Sequence, residues 1–86
     1  MNASATRRTL RVQYFALLRE QAGRAEETVD SAAATPRELL EELRVRHRFT
    51  LPIAVMKVAV NGEFTDWDRP LGANDAVVFI PPVAGG

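Results

Sequence analysis

Apolar and polar positions alternate with period two near the start of the chain, where Leu10, Val12 and Tyr14 interleave with Arg11 and Gln13. That period predicts a first strand over residues 9–16 with Leu10, Val12 and Tyr14 facing inward. Phe15 then falls on the face of Arg11 and Gln13, away from the core. Residues 17–22 read as a short helical turn that Gly23 ends. A weak alternation around Thr28 predicts a second strand over 26–30, pairing back on the first. Residues 31–34 are a small-residue connection to a helix. Thr35 caps that helix by accepting the Glu38 N–H, Glu38 reaches back, and Pro36 occupies the first helical position. Leu39, Leu40 and Leu43, with Phe49 further on, form one apolar stripe opposite Arg37, Glu41, Glu42 and Arg44. The helix is expected to end near His47 or Arg48, and Pro52 stops any continuation.

A third strand is predicted over 55–60, with Met56, Val58 and Val60 on one face and Lys57 and Ala59 on the other. Asn61-Gly62 is a two-residue hairpin signal, because both positions tolerate positive φ. Residues 63–65 return as a short strand carrying Phe64 between polar neighbours. Residues 66–70 form a loop, and Leu71 plugs the core. Residues 72–75 turn, with Asn74 suited to a left-handed conformation. The last strand, 76–80, is almost wholly apolar and hence central. Strand, strand, helix, strand, short strand, strand predicts an α+β fold of the β-grasp type. A mixed sheet of about five strands is covered on one face by one main helix, with the first and last strands adjacent at the centre. The chain divides into a loose extension at 1–8, the domain at 9–80 and an extended tail at 81–86.

The tail carries the most specific chemistry. Pro81 and Pro82 lack backbone N–H groups, so the sheet is expected to stop at Ile80 with no core residue beyond it. From Pro81 to Gly86 the six residues span roughly 20 Å when extended. Gly85 and Gly86 lack side chains and can pass through a narrow channel in a partner. This pattern predicts that the Gly86 α-carboxylate, taken as the C-terminus, carries chemistry inside another protein's active site. The plainer alternative is a frayed glycine-rich end. A rigid spacer after an apolar strand favours the first.

Bulk properties narrow the remaining classes. The chain has 86 residues, 47% hydrophobic and 26% charged, which fits one ordinary globular domain. Its formal net charge of zero offers nothing to nucleic acid or an anionic membrane surface. It has no cysteine and one histidine, which excludes disulfides, thiolate metal sites, a cysteine nucleophile and a multi-histidine site. No apolar run is long enough to cross a bilayer. Arg7-Arg8 lacks the apolar stretch and cleavage site of an export signal, so the chain is expected to be cytoplasmic.

His47 fits the dipole at a helix end better than a catalytic role. Trp67 either touches a partner or covers the core from a loop. Arg19 and Glu20 suit a local structural role or an interface pair, and Lys57 an exposed strand position. Phe15, Phe64 and Ile80 are different. Each is apolar and lies opposite the inferred core on its strand, so they are expected to converge into a partner-binding patch near the tail.

Phe15-Ala16, Arg19-Glu20, Gly23, Val60-Asn61 and the whole stretch 75–86 resemble the small subunit of molybdopterin synthase, the ubiquitin-like molybdopterin converting factor subunit 1 family. The resemblance runs from Arg11 onward. It departs at Asn74, where the family commonly has glycine. It implies a sulfur carrier that is part of a sulfurtransferase and is not catalytic alone. An ATP-dependent adenylating enzyme would activate Gly86, with Gly85 beside it, and a sulfur donor would convert it to a thiocarboxylate. Pro81, Pro82, Val83 and Ala84 would enter the large subunit of an expected heterotetramer, where the sulfur attacks a cyclic pyranopterin monophosphate precursor of the molybdenum cofactor. This chain would bind no cofactor or metal itself; ATP belongs to the activating enzyme. A sulfur carrier for thiamine synthesis or protein tagging, and a β-grasp binding module with an inert tail, are the alternatives. Arg19-Glu20 and Pro81-Pro82 speak against the other carriers.

Overall fold

A strand as uniformly apolar as the last one is expected at the middle of a sheet, with a hydrogen-bonded neighbour along each edge. The computed structural model, which describes residues 7–82, places it at the sheet's centre. In chain order the elements are β1 (Arg8–Tyr14), α1 (Ala16–Ala22), β2 (Glu26–Ser31), α2 (Pro36–His47), β3 (Lys57–Val60), β4 (Glu63–Thr65) and β5 (Ala76–Ile80). The five strands lie in the order β2-β1-β5-β3-β4. β1 and β5 run parallel, with Val12 opposite Val77 and Tyr14 opposite Phe79. All other neighbours are antiparallel. Both helices pack on one face, where Leu18, Leu39, Leu40 and Leu43 meet Leu10, Val12, Val58, Val60, Val77 and Phe79 in one core. The fold is the α+β β-grasp expected from the pattern.

Local signals explain the punctuation. Thr35 accepts the Glu38 N–H at 3.3 Å, and the Glu38 carboxylate reaches back to the N–H of Ala34 at 2.9 Å, one residue beyond a simple capping box. α2 ends at His47 because Arg48 turns left-handed at φ 59°. Asn61 and Gly62, at φ 53° and 88°, form the primed turn between β3 and β4. Leu71 is buried, and Asn74 is left-handed at φ 66°.

Four local expectations need correction. β3 starts at Lys57, because residues after Pro52 coil into a 3-10 turn at Ile53–Val55. The N–H groups of Val55 and Met56 bond to the carbonyls of Pro52 and Ile53 at 3.2 and 3.0 Å, so they are not available to a neighbouring strand. At the other end, Arg8 pairs with Ser31 in the sheet, and Arg7 bonds Asp30 at 3.2 Å, so residues 7 and 8 belong to the body. Ser31 is the buried end of β2, not part of a small-residue connection. Its hydroxyl donates to Glu42 at 2.6 Å and accepts the Ala33 N–H at 3.0 Å. Pro81 is buried, so the body reaches one residue past Ile80.

His47 sits in a network drawn from three elements. Tyr14 donates its hydroxyl to the Glu27 carboxylate, and His47 Nε2 lies 2.6 Å from the same oxygen. The Tyr14, His47 and Phe49 rings pack with centroids 5.4–5.7 Å apart. Burial pushes the Glu27 carboxyl up, but the hydrogen bonds from Tyr14 and His47 outweigh it and leave the carboxyl below its usual range. Burial, then the bond to Glu27, holds the Tyr14 hydroxyl protonated far above its ordinary range. The network pins β1, β2 and the end of α2 together.

Two outcomes are expected. Val77→Asp places a charge at a fully buried position facing the helices, and such burial costs more than a small domain's margin of about 5–15 kcal/mol can absorb. Circular dichroism melting should show no cooperative transition. Glu27→Gln should lower stability at pH 7 by about 1–3 kcal/mol. Because folding depresses this carboxyl, its contribution is complete above the unfolded glutamate value of about 4.3 and is lost as pH falls below it. Urea melts of wild type and variant should therefore converge in acid.

Candidate functional site

Alternation along β5 sends Val77 and Phe79 toward the helices and Val78 and Ile80 to the uncovered face of the sheet. On that face Ala59 lies opposite both Val78 and Phe64, and Lys57 lies opposite Ile80. Phe64 is 70% exposed and Phe15 42% exposed, while Ile80 is half-buried. Phe64, Ala59, Val78 and Ile80 thus form an apolar band running to the end of β5. Phe15 follows Tyr14 at the same end. It is the extended cap residue of α1, and its carbonyl accepts the N–H groups of Leu18 and Arg19 at 3.1 and 3.4 Å. Sequence reasoning named Phe15, Phe64 and Ile80 but passed over Val78 and Ala59. The hairpin register set by Asn61-Gly62, combined with period two, contains that signal.

The two prolines are not equivalent. Pro81 continues the inward series of Val77 and Phe79 and is buried, whereas Pro82 is exposed. The expected spacer therefore starts at Pro82, and Pro81 anchors its root to the core. Val83, Ala84, Gly85 and Gly86 lie outside the described residues.

Val60-Asn61 and Asp75, which carried part of the resemblance, lie at the far end of β5 from the tail. The Asn61 amide donates to Asp75 at 3.0 Å and accepts the Ala76 N–H at 3.0 Å. The Gly72 N–H, at 2.7 Å, holds the Asp75 carboxyl below its usual range, with help from Asn61. These residues clasp the β3–β4 turn to the start of β5. Trp67 stacks on Phe79 at 6.0 Å with the rings 7° from parallel, so it covers the core from the helix side and leaves the open face bare. His47 is engaged in the network with Tyr14 and Glu27. Arg19, Glu20 and Lys57 are exposed. Among the described residues no group of three or more metal-ligating side chains comes together, and no helix is long and apolar enough to cross a membrane.

Known proteins share this architecture. The ThiS family profile matches residues 12–86. A Pyrococcus furiosus protein provisionally assigned as molybdopterin converting factor subunit 1 is 31% identical, covering 88% of this chain and 99% of its own, with a TM-score of 0.73. SAMP1 from Haloferax volcanii is 28% identical over 91% of this chain and 99% of its own, with a TM-score of 0.75. A chain of the Amycolatopsis orientalis BexX/CysO complex is 25% identical over 90% and 99%, with a TM-score of 0.65. No curated protein sequence matches. With the profile spanning nearly all of a chain folded as a β-grasp, the protein belongs to the ThiS family.

Proposed function

We propose that this chain is the sulfur carrier subunit of molybdopterin synthase. The observation that supports the reading is where the central strand ends. The central strand ends at Ile80 beside an uncovered apolar band, Pro82 follows it exposed, and the sequence reads on from there as Val83-Ala84-Gly85-Gly86. The likeness to the Pyrococcus furiosus protein supports molybdopterin chemistry in particular. The Gly86 carboxylate is a poor electrophile. Inside an adenylating enzyme its oxygen attacks the α-phosphorus of ATP, pyrophosphate leaves, and an acyl-adenylate forms. A donor of sulfide-level sulfur then attacks the carbonyl carbon, the bond to AMP breaks, and Gly86 becomes a thiocarboxylate. Docked on the large subunit, that nucleophilic sulfur bonds to a carbon of the pyranopterin precursor as an oxygen substituent leaves, and water then cleaves the resulting thioester, so the sulfur stays on the precursor and Gly86 departs as a carboxylate. Two such transfers supply both dithiolene sulfurs. Phe15, Phe64, Ile80 and Pro82 bind the partner, and Gly85 lets the tip fit its channel. Proton transfer and the precursor pocket belong to the large subunit. The likeness to SAMP1 keeps a protein-tagging carrier as the second reading, and products separate the two: a sulfurated pterin or a tagged protein.

Deleting Gly86, or adding one residue after it, should abolish sulfur transfer in an assay with large subunit, precursor and thiocarboxylated carrier, without changing the melting temperature. Normal transfer by an untrimmed extended chain would sink the carrier reading. Ile80→Asp should weaken binding to the large subunit in calorimetry by tenfold or more, since a buried side chain of this size is worth roughly 1.5–3 kcal/mol. The half-buried position should leave most of the fold's stability intact.

A further inference from the structure

The loop between β4 and β5 is fastened to the start of α2. The Arg37 N–H donates to the Trp67 carbonyl at 3.0 Å, and the Leu71 N–H to the Ala34 carbonyl at 2.9 Å. The Arg37 guanidinium donates to both oxygens of Asp68, at 2.9 and 3.1 Å. The Trp67 ring is stacked on Phe79. Arg37, Thr65 and this well-held loop line an open recess of about 650 Å³. None of Phe64, Ala59, Val78 and Ile80 contributes to it.

Arg69 is the unusual member of that lining. Its Nη1 is buried without a hydrogen-bond partner, the one buried side-chain nitrogen or oxygen among the described residues of which this is true. Buried donors are nearly always paired, and a charged donor without an acceptor is costly. The neighbouring acids are committed elsewhere. Asp68 is held by Arg37, whose bonds keep its carboxyl below the usual range. Asp75, lowered chiefly by the Gly72 N–H, also feels the charge of Arg69, but its oxygens accept from Gly72 and Asn61. Asp66 is exposed and gives Arg69 only its backbone carbonyl, 3.3 Å from the Arg69 N–H. Among the described residues, Arg69 enters no ion pair. A guanidinium spreads its charge over a planar fork that matches the paired oxygens of a carboxylate or phosphate, so an oxyanion on its open side neutralises the whole group. Trp67 adds an apolar wall, and small-molecule sites combine such walls with a few polar groups.

We propose that this recess binds a small molecule through a carboxylate or phosphate oxyanion, with Arg69 taking the anion and Trp67 packing against the organic part. The inference stands apart from the carrier reading, since the recess and the apolar band share no residue. Trp67 is the one tryptophan of the chain, so its fluorescence reports on the recess. The full chain is titrated with inorganic phosphate, with acetate, and with chloride at matched ionic strength. A saturable change with phosphate or acetate, absent with chloride, is expected, and whichever anion saturates assigns the class of the ligand. Arg69→Gln should weaken that binding roughly tenfold or more, as loss of a charge-assisted hydrogen bond does, with circular dichroism melting to verify its fold. Nitrogen-15 spectra of the wild type give a readout that needs no variant: the Arg69 side-chain and Trp67 indole signals should move with the same saturation. Absence of saturation with both anions, an equal change with chloride, wild-type affinity in Arg69→Gln, or shifts confined to other residues would each overturn the site.

Discussion

The parallel pairing of β1 with β5 is the constraint on which the rest depends. Parallel neighbours cannot be joined by a tight turn, so the connection must leave the sheet and return. Here it contains every other element. The pairing buries Val77 and Phe79 against Val12, Tyr14 and the helices, and gives β5 a hydrogen-bonded neighbour on each side. A tail leaving an edge strand would have one flank. This tail leaves between two, with Phe15 on one and Lys57 on the other.

The two faces of the sheet divide the work. The helix face holds the apolar core and the Tyr14–Glu27–His47 network, whose groups are engaged with one another. The open face carries Phe64, Ala59, Val78 and Ile80, with no helix over them among the described residues. Residues that look equally diagnostic in the sequence fall into different roles. Asn61 and Asp75 close a turn, while Phe15 and Ile80 remain available at the opposite end.

Much of this was legible because it is encoded locally. Period two in Leu10-Arg11-Val12-Gln13-Tyr14, the Thr35-Pro36 helix start and the Asn61-Gly62 turn each depend on neighbours within a few residues. The unread parts depend on distant ones. Glu27 sits in a weak polar strand, and only folding brings it to Tyr14 and His47. Ser31 looked like linker until Glu42 supplied a partner. Val55 alternated correctly for a strand, but Pro52 started a 3-10 turn whose bonds were satisfied locally. Pro81 was read by its missing donor, whereas its side chain follows Phe79 into the core. The β-grasp and the placement of Phe15 beside Ile80 were readable. The true root of the tail was not, since burial of a proline depends on what surrounds it.

The same β1–β5 pairing bears on how the protein forms. Its central hydrogen-bonded ladder joins segments from nearly opposite ends of the sequence. Such long-range contacts slow folding, because the loop must close before its contacts reward it. During synthesis, β1, β2 and α2 emerge without the strand that fills the middle of their sheet. The core can close only once β5 has been made, so the folded domain cannot precede the strand that leads into Pro81 and Pro82.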